Sequence, residues 1–310
     1  MTKNQLMITN NKFTLDPNWV TGFTDAEGSF IISIYKNKTN KTKWRVQASF
    51  AIELHVRDMD LLLQIKSFFN EVGSIHIKKN ISVVYHIRTL DSINNLIIPH
   101  FEKYPLITQK YSDFILFKDI IKLMNNNEHL NKEGLSKIVS LKAILNNGLS
   151  KAIITYFPEV KKVDRIKVNL PTIINYYWIA GFISGDGCFY INILKSKDSK
   201  VGYAVKLRIS ITQHSKDELL MNNISNTLKC GYVYKHSKNG VVFMISTFKD
   251  IYNRIIPLLD KHQIKGIKYL DFKDFCMTTE LINHKIHLTP EGLEQIHKIK
   301  LGMNKSRIDL

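Results

Sequence analysis

The sequence predicts an α+β protein built from two tandem, pseudo-symmetric copies of one αββαββα unit. Two observations carry this prediction. The segment Trp19-Val-Thr-Gly-Phe23 recurs as Trp178-Ile-Ala-Gly-Phe182, at an offset of 159 residues. After each copy, stretches with a hydrophobic residue at every second position alternate with stretches of helical spacing, in the same order.

The repeat covers most of the chain. The offset of 159 changes to 158 through one deletion beyond residue 217. Further matches in the same order are Gly28 with Gly187, His55 with His214, Lys110 with Lys268, and Glu133-Gly134-Leu135 with Glu291-Gly292-Leu293. Such a series indicates a duplication, with predicted half-domains at 1–154 and 173–310. Residues 155–172 lack periodicity and carry several lysines, which predicts a basic linker.

The elements of one unit follow from local patterns. A helix is predicted to begin at Asp16-Pro17, because a capping Asp followed by proline is typical of helix starts. It is predicted to end at Gly28. The other elements of the first half are predicted as strands around 30–34, 44–54, 75–79 and 82–88, and as helices over 58–69 and from 91, 112 and 131.

Composition restricts the class of partner. The formal net charge is +17 and the pI is about 9.6, which indicates a polyanionic partner. No apolar run reaches the roughly 18–20 residues that span a bilayer, so a membrane partner is not expected. Basic residues alternate with aromatic and β-branched ones instead of forming one amphipathic face. Nucleic acid is therefore the favoured partner.

The three cysteines are widely spaced. Cys188, Cys230 and Cys276 form neither a full disulfide framework nor a Cys-x-x-Cys zinc site. A reducing compartment is the expectation. The first fifteen residues contain Asn and Lys and no apolar segment typical of a secretory signal, so none is predicted.

Two acidic motifs are the strongest functional signal. The first helix ends in Gly22-Phe-Thr-Asp-Ala26-Glu27, and its repeat ends in Gly181-Phe-Ile-Ser-Gly185-Asp186. Small residues four apart leave one face of each helix nearly bare, which allows the two backbones to pack closely. The two acids would then meet at the negative ends of both helix dipoles. Divalent cations relieve that repulsion, and oxygen ligands favour Mg²⁺.

These segments resemble the paired motifs of the LAGLIDADG homing endonucleases, in the single-chain, two-motif type encoded in organellar introns. The resemblance extends to Leu54-His55-x-x-Asp58 with Gln213-His214-x-x-Asp217, and to Thr-Gln-Lys110 with Gly-Ile-Lys268. It implies two four-stranded antiparallel sheets that together form a saddle over DNA. One departure from the pattern is that the earlier acid of the motif, Asp25, is Ser184 in the second half.

The resemblance also implies the site residues. Glu27 and Asp186 would bind the catalytic metals, with the carbonyl groups of Ala26 and Gly185 facing the same ions. The other residues assigned to catalysis are Lys110, Lys268 and Gln213, the last as a group that positions water. Since the repeat partner of Gln213 is Leu54, an asymmetric pocket is expected. The position of Asp25 is expected to support the helix end only.

The implied activity is Mg²⁺-dependent hydrolysis of both strands of a long, asymmetric double-stranded DNA target, leaving cohesive 3′ overhangs. Mn²⁺ is expected to substitute for Mg²⁺, and Ca²⁺ to support binding without efficient cleavage. The expected state is a soluble mitochondrial monomer with internal pseudo-two-fold symmetry.

Strand parity predicts which side chains read DNA. Residues alternating with the apolar positions are expected to face the major groove, where Arg, Lys, Gln and Asn recognise base edges. The predicted set in the first half is Ser29, Ile31, Ser33, Tyr35, Asn37, Arg45, Gln47, Ser49, His76 and Lys78. In the second half it is Cys188, Tyr190, Asn192, Lys206, Arg208 and Ser210. Because the sets differ, the target is not expected to be a perfect palindrome.

Two alternatives remain open at this level. One is a DNA-binding protein that has lost cleavage, although both acids are present. The other is an RNA maturase that assists splicing of its own intron RNA, since a basic surface suits either polyanion. The sequence does not indicate the target site, the host gene or the number of bound metals.

Overall fold

The computed structural model describes residues 15–79 and 81–307. The first half contains α1 (Pro17–Glu27), β1 (Gly28–Lys36), β2 (Trp44–His55), α2 (Met59–Phe68), β3 (Ser74–Lys78), β4 (Ser82–Ile87), α3 (Leu90–Ser92), α4 (Ile98–Lys103), α5 (Lys110–Asn125), α6 (Lys132–Lys142) and α7 (Lys151–Tyr156). The second half contains α8 (Tyr176–Asp186), β5 (Gly187–Lys195), β6 (Tyr203–His214), α9 (Glu218–Leu228), β7 (Tyr232–Ser237), β8 (Gly240–Ile245), α10 (Phe248–Asp250), α11 (Ile256–His262), α12 (Lys268–Asn283) and α13 (Pro290–Leu301).

Each half has one four-stranded antiparallel sheet. The strand orders are β1-β2-β4-β3 and β5-β6-β8-β7. Registers match as well: Phe30 pairs with Phe50 in the first sheet, and Phe189 pairs with Ile209 in the second. The predicted fold class, two αββαββα units with antiparallel sheets, is confirmed.

Alternation along the strands separates a core face from an exposed face. Phe30, Ile32, Phe50 and Ile52 are buried against the helices, as the period-two pattern predicts. Phe30 lies at the centre of an aromatic cluster with Phe50, Phe101, Phe114 and Phe117, with ring centroids 5.3–5.6 Å away. The second core repeats this arrangement with Phe189, Phe272 and Phe275. Helices therefore cover one side of each sheet.

The two halves are joined through α1 and α8. A Cβ atom added at Gly22 would overlap the carbonyl of Trp178, and one at Gly181 would overlap the carbonyl of Trp19. Glycine is required at both positions because the backbone of one helix occupies the side-chain space of the other. The close packing predicted from the small residues is thus observed, and it brings the helix ends together.

The segment between the halves is anchored on both. Within the described residues, 157–175 contain no helix or strand. Arg165 binds Asp113 at 2.8 Å and the carbonyl of Ile144, both in the first half. Further on, Asn223 of the second half donates to the carbonyl of Pro171. The chain crosses between halves after Arg165, and the boundaries at 154 and 173 stay a prediction.

Three further sequence predictions concern composition. Cys188, Cys230 and Cys276 carry free thiols. No helix in the described part of the chain is long and apolar enough to cross a membrane. The prediction of no secretory signal falls mainly on residues 1–14, which lie outside the described residues.

Candidate active site

Glu27 and Asp186 are the last residues of α1 and α8. The two helices start in the same way: Asp16 accepts hydrogen bonds from the amides of Asn18 and Trp19, and Asn175 accepts one from Tyr177. Their close approach continues to the acids, since a Cβ atom at Gly185 would lie 3.1 Å from Cγ of Glu27. The sequence predicted that the two acids lie together at the C-terminal ends of one pair of packed helices, and the geometry agrees.

Both carboxyl groups are held in an unfavourable environment for negative charge. Burial raises the pKa of Glu27, and the neighbouring Asp186 raises it further. Burial also raises the pKa of Asp186. Lys110 and Lys268 oppose the effect at both acids. The pKa of both acids stays raised even though the ammonium groups of Lys110 and Lys268 lie beside them. The two carboxylates therefore suit the binding of further positive charge.

Lys110 and Lys268 are the first residues of α5 and α12. The ammonium group of Lys110 donates to the carbonyl groups of Thr24, at 2.8 Å, and Ala26, at 3.2 Å. Lys268 donates to the carbonyl of Gly185. Burial lowers the pKa of both lysines, although the nearby carboxylates counteract it. Repeat equivalence therefore located two lysines at the ends of the acid-bearing helices.

Gln213 makes the pocket asymmetric. Its amide donates a hydrogen bond to the carboxylate of Asp186. Gln213 has the parity of Ile209 and Ile211, so it points to the helix side of β6 and not to the exposed face. The equivalent position in the first half is Leu54, which has no hydrogen-bonding group. The amide thus orients an acid, and its role towards water stays a prediction.

The oxygen atoms at the ends of α1 and α8 are suitable ligands for a hard divalent cation. Glu27, Asp186 and the carbonyl oxygens of Ala26 and Gly185 converge at the helix ends, and all are oxygen ligands of the kind that Mg²⁺ prefers. Among residues 15–79 and 81–307, no group of three or more His, Cys, Asp or Glu side chains could hold a metal ion. Two carboxylates are what Mg²⁺ commonly takes from a protein when phosphate and water complete its shell.

The earlier motif position supports the segment that precedes each lysine. Asp25 accepts hydrogen bonds from the amide of Ile107, at 2.9 Å, and from the hydroxyl of Thr108, at 2.6 Å. Asp25 also accepts from the amide of Thr108, at 3.3 Å, and from the indole of Trp178, which belongs to the second half. Ser184 accepts one bond, from the amide of Lys265. The expectation that Asp25 supports the helix end only is therefore too narrow, because its carboxylate also holds the segment before Lys110 and the indole of Trp178.

The strand register places most of the predicted DNA-reading residues on one exposed face of each sheet. Ser29, Ile31, Ser33 and Tyr35 lie beside Ala51, Ser49, Gln47 and Arg45, and His76 and Lys78 continue this face on β3. Cys188, Tyr190 and Asn192 lie beside Ser210, Arg208 and Lys206 on the second sheet. The predicted parity of both halves agrees with this register.

Four residues of the predicted DNA-reading set are buried or already bonded to other groups of the protein, and are therefore less free to contact DNA than the sequence suggested. Asn37 lies in the loop after β1, where its side-chain oxygen Oδ1 accepts hydrogen bonds from Thr39 and Asn40. Ser210 is only 7% exposed, since it lies between Cys188 and Met244 of the flanking strands. Cys188 is half-buried and hydrogen-bonded to Asn304. Lys78 forms an ion pair with Glu53 at 3.3 Å.

Sequence reasoning missed two tyrosines on the exposed face. Tyr232 and Tyr234 on β7 pair with Met244 and Val242, so they share the face of Arg208, and they are 52% and 38% exposed. Their repeat partners at an offset of 158 are Ser74 and His76. His76 was in the predicted set, so the repeat itself carried the signal for Tyr234.

Two αββαββα units joined at helices that each end in an acid define the single-chain, two-domain class of LAGLIDADG proteins. The family model described as LAGLIDADG endonuclease matches residues 20–121 and again residues 179–279. The chain belongs to this family, and the resemblance seen in the sequence is confirmed.

Known proteins of this family are similar over nearly the whole chain. A probable intron-encoded endonuclease of Neurospora crassa is 40% identical over 298 residues, which is 92% of this chain and 64% of the relative. The chain thus spans less than two thirds of that relative. The homing endonuclease I-SmaMI bound to cleaved DNA has a TM-score of 0.92 and 41% identity, covering 95% of this chain and 98% of that one. I-SmaMI bound to uncleaved DNA target with calcium ions has a TM-score of 0.91 at 41% identity, covering 94% of this chain and 99% of that one.

Proposed function

We propose that this protein is a homing endonuclease that hydrolyses both strands of a long, asymmetric double-stranded DNA target in a Mg²⁺-dependent reaction. Cleavage would leave cohesive 3′ overhangs. The observation that carries the proposal is the pair of half-buried carboxylates, Glu27 and Asp186, at the ends of two helices packed backbone to backbone. Each acid directly precedes the first strand of a sheet with an exposed face.

Glu27, Asp186 and the carbonyl oxygens of Ala26 and Gly185 would hold the divalent cations. When bound, such ions supply a Lewis acid that activates water and stabilises the leaving oxygen of a phosphodiester. The chain itself would supply fixed positive charge, because Lys110 and Lys268 are held beside the acids where negative charge grows on a scissile phosphate. Gln213 would hold the carboxylate of Asp186 in one orientation.

The exposed faces of the two sheets would bind the duplex. Arg45 and Gln47 in the first half, and Lys206 and Arg208 in the second, supply the donors that recognise base edges in the major groove. Since the two faces carry different residues, each half would read a different sequence. The net charge of +17 would add phosphate contacts that depend strongly on salt.

Names of the relatives support the setting in which this activity would operate. Similar proteins are described as intron-encoded endonucleases. The enzyme would act in mitochondria as a monomer whose two halves form one site. An RNA partner stays a prediction.

The test is cleavage of a randomised duplex library by the full-length protein, followed by sequencing of the ends. We expect one asymmetric consensus of about 20 bp, the length that two adjacent sheets would cover, cut on both strands in Mg²⁺ or Mn²⁺. The double variant Glu27→Gln/Asp186→Asn should bind the same duplex without cutting it. Ca²⁺ should support binding with little cleavage. Cleavage in EDTA, or by the double variant at the normal rate, would refute the metal-dependent mechanism.

A further inference from the structure

Each half of the protein places one aspartate on the start of the lysine-bearing helix of the other half. Asp217, from the second half, accepts a hydrogen bond of 2.9 Å from the amide of Gln109. Asp58, from the first half, accepts one of 2.7 Å from the amide of Ile267. Asp58 and Asp217 are repeat equivalents, so the two contacts are related by the internal pseudo-symmetry. The exchange is therefore reciprocal.

Both contacts lie one residue before a lysine of the site. Gln109 precedes Lys110, and Ile267 precedes Lys268, at the first turn of α5 and α12. The amides at a helix start have no partner within the helix, and a carboxylate there is favoured by the helix dipole. A bond at this point fixes where the helix begins, and hence where the side chain of its first residue points.

The residues around each aspartate are packed closely enough to hold its carboxylate in place. Asp217 is only 8% exposed, and the side-chain amide of Gln109 donates a second hydrogen bond, of 3.4 Å, to the carbonyl of Lys216. At the Asp58 contact, a Cβ atom added at Gly266 would lie 2.5 Å from the carboxylate of Asp58, and the φ of Gly266 is +70°. A side chain at that position would be strained and would also displace Asp58.

Support from within the same half differs between the two lysines. The segment before Lys110 is held by Asp25 through Ile107 and Thr108, and the hydroxyl of Thr108 accepts from the amide of Lys110 at 3.1 Å. The segment before Lys268 is held by Ser184 through one bond to Lys265. Lys268 therefore depends more on the contact from the opposite half.

We propose that Asp58 and Asp217 are positioning residues that set the lysine of the opposite half, so that each lysine of the site is placed by both halves. Asp217 holds Lys110 against the carbonyls of Thr24 and Ala26, and Asp58 holds Lys268 against the carbonyl of Gly185. The catalytic part of this inference rests on the proposed function, whereas the positioning part concerns the protein alone.

The positioning part is tested by NMR on the full-length protein without metal or DNA. The probes are the amide protons of Gln109 and Ile267 and the ammonium groups of Lys110 and Lys268, which give slowly exchanging signals when they are hydrogen-bonded. In Asp217→Ala, exchange of the Gln109 amide proton should accelerate about tenfold, and the ammonium signal of Lys110 should weaken. The exchange rate at Ile267 and the ammonium signal of Lys268 should not change. Asp58→Ala should give the reverse pattern.

The catalytic part is tested by double-mutant cycles, with single-turnover cleavage of the duplex selected from the library. Asp217→Ala should slow cleavage about tenfold, and Asp58→Ala by more, up to about a hundredfold, because a misplaced group near a reacting phosphate costs that much. Adding Asp217→Ala to Lys110→Ala should have little further effect, whereas adding it to Lys268→Ala should multiply the two losses. Asp58→Ala should couple to Lys268→Ala in the same way.

Matched variants separate positioning from loss of stability. Asp217→Asn and Asp58→Asn keep an oxygen acceptor, so cleavage should return to within about threefold of the normal rate. Asn131→Ala removes a comparable bond, 2.8 Å to the amide of Gly134 at the start of α6, and should couple to neither lysine. Unchanged exchange at Gln109 and Ile267, or equal coupling to both lysines, would overturn the proposal. Absence of cleavage by the normal protein would count against the proposed function instead, and the NMR result would then decide the positioning proposal.

Discussion

In the first half, the hydroxyl of Thr21 lies 3.1 Å from the imidazole of His100, while the equivalent residues of the second half are Ala180 and Leu258. A second pair changes in the same way. Asp25 and Thr108 are hydrogen-bonded to each other in the first half, and their equivalents are Ser184 and Gly266.

At these two places, a buried polar residue and its hydrogen-bond partner change together between the halves. A buried donor or acceptor left without a partner costs about 1–3 kcal/mol, whereas replacing both members by apolar groups of similar shape is nearly neutral. The change from Thr21 and His100 to Ala180 and Leu258 follows this rule, because neither residue of the second pair has a polar side-chain group. At the acids the pattern differs, since Glu27 and Asp186 both stay acidic although their neighbours Leu54 and Gln213 do not match.

The largest expected effect tests whether the unequal acids act as one cluster. Glu27→Gln and Asp186→Asn should each reduce cleavage of both strands about a thousandfold, equivalent to about 4 kcal/mol of the barrier. Strand-resolved single-turnover kinetics measure this. Glu133→Gln, at an exposed ion pair with Lys137, serves as the control. If either variant cut one strand normally, the halves would work independently.

A second prediction concerns the polar pair present in one half only. Burial lowers the pKa of His100 to about 4. Because the unfolded chain binds the proton first, near pH 6.5, the stability from neutral His100 is present above that pH and is lost as the pH falls towards 4. At about 1.4 kcal/mol per pH unit, the loss is about 3 kcal/mol. Urea denaturation at several pH values measures it.

The matched variant copies the second half. Thr21→Ala/His100→Leu introduces the residues found at Ala180 and Leu258, and it should remove this part of the pH dependence. Thr21→Ala alone leaves the imidazole without its partner and should cost about 1–3 kcal/mol at neutral pH. Should the double variant lose as much stability on acidification as the normal protein, His100 would not be the group responsible.

The third prediction uses the different exposed faces. Arg208 has Ser49 as its repeat partner, so Arg208→Ala should cost about 1–3 kcal/mol of binding and relax preference at one or two bases read by the second half only. Ser49→Ala should cost less. Binding titrations on selected and scrambled duplexes distinguish the cases. Equal weakening on both duplexes would mean that Arg208 contacts phosphate.

The smallest effect is expected outside the repeat. Lys162 lies exposed in the segment between the halves and has no equivalent in either unit. Lys162→Ala should weaken binding to all duplexes by the same factor. It should also reduce the slope of log K against log salt concentration by about one, the release of about one counterion. Titrations at several salt concentrations measure the slope. A change in base preference would assign Lys162 to sequence reading.

Local periodicity and the internal repeat were enough to predict the duplication, the αββαββα order, the strand parity and the residues at the helix ends. The physical reason is that side-chain alternation, helix caps and small residues four apart are properties of neighbouring positions. Tyr234 was within reach of the same argument, because its repeat partner His76 was already in the predicted DNA-reading set.

Only the tertiary structure decided the contacts between positions far apart in the chain. The bonds from Asp217 to Gln109 and from Asp58 to Ile267 span 108 and 209 residues, and no local pattern encodes which partner a carboxylate finds. The burial of Ser210 depends on its neighbours in β5 and β8. The anchoring of Arg165 on Asp113 depends on the path that the chain takes between the halves. Sequence thus determined which residues face the site, and packing between the halves determined what holds them there.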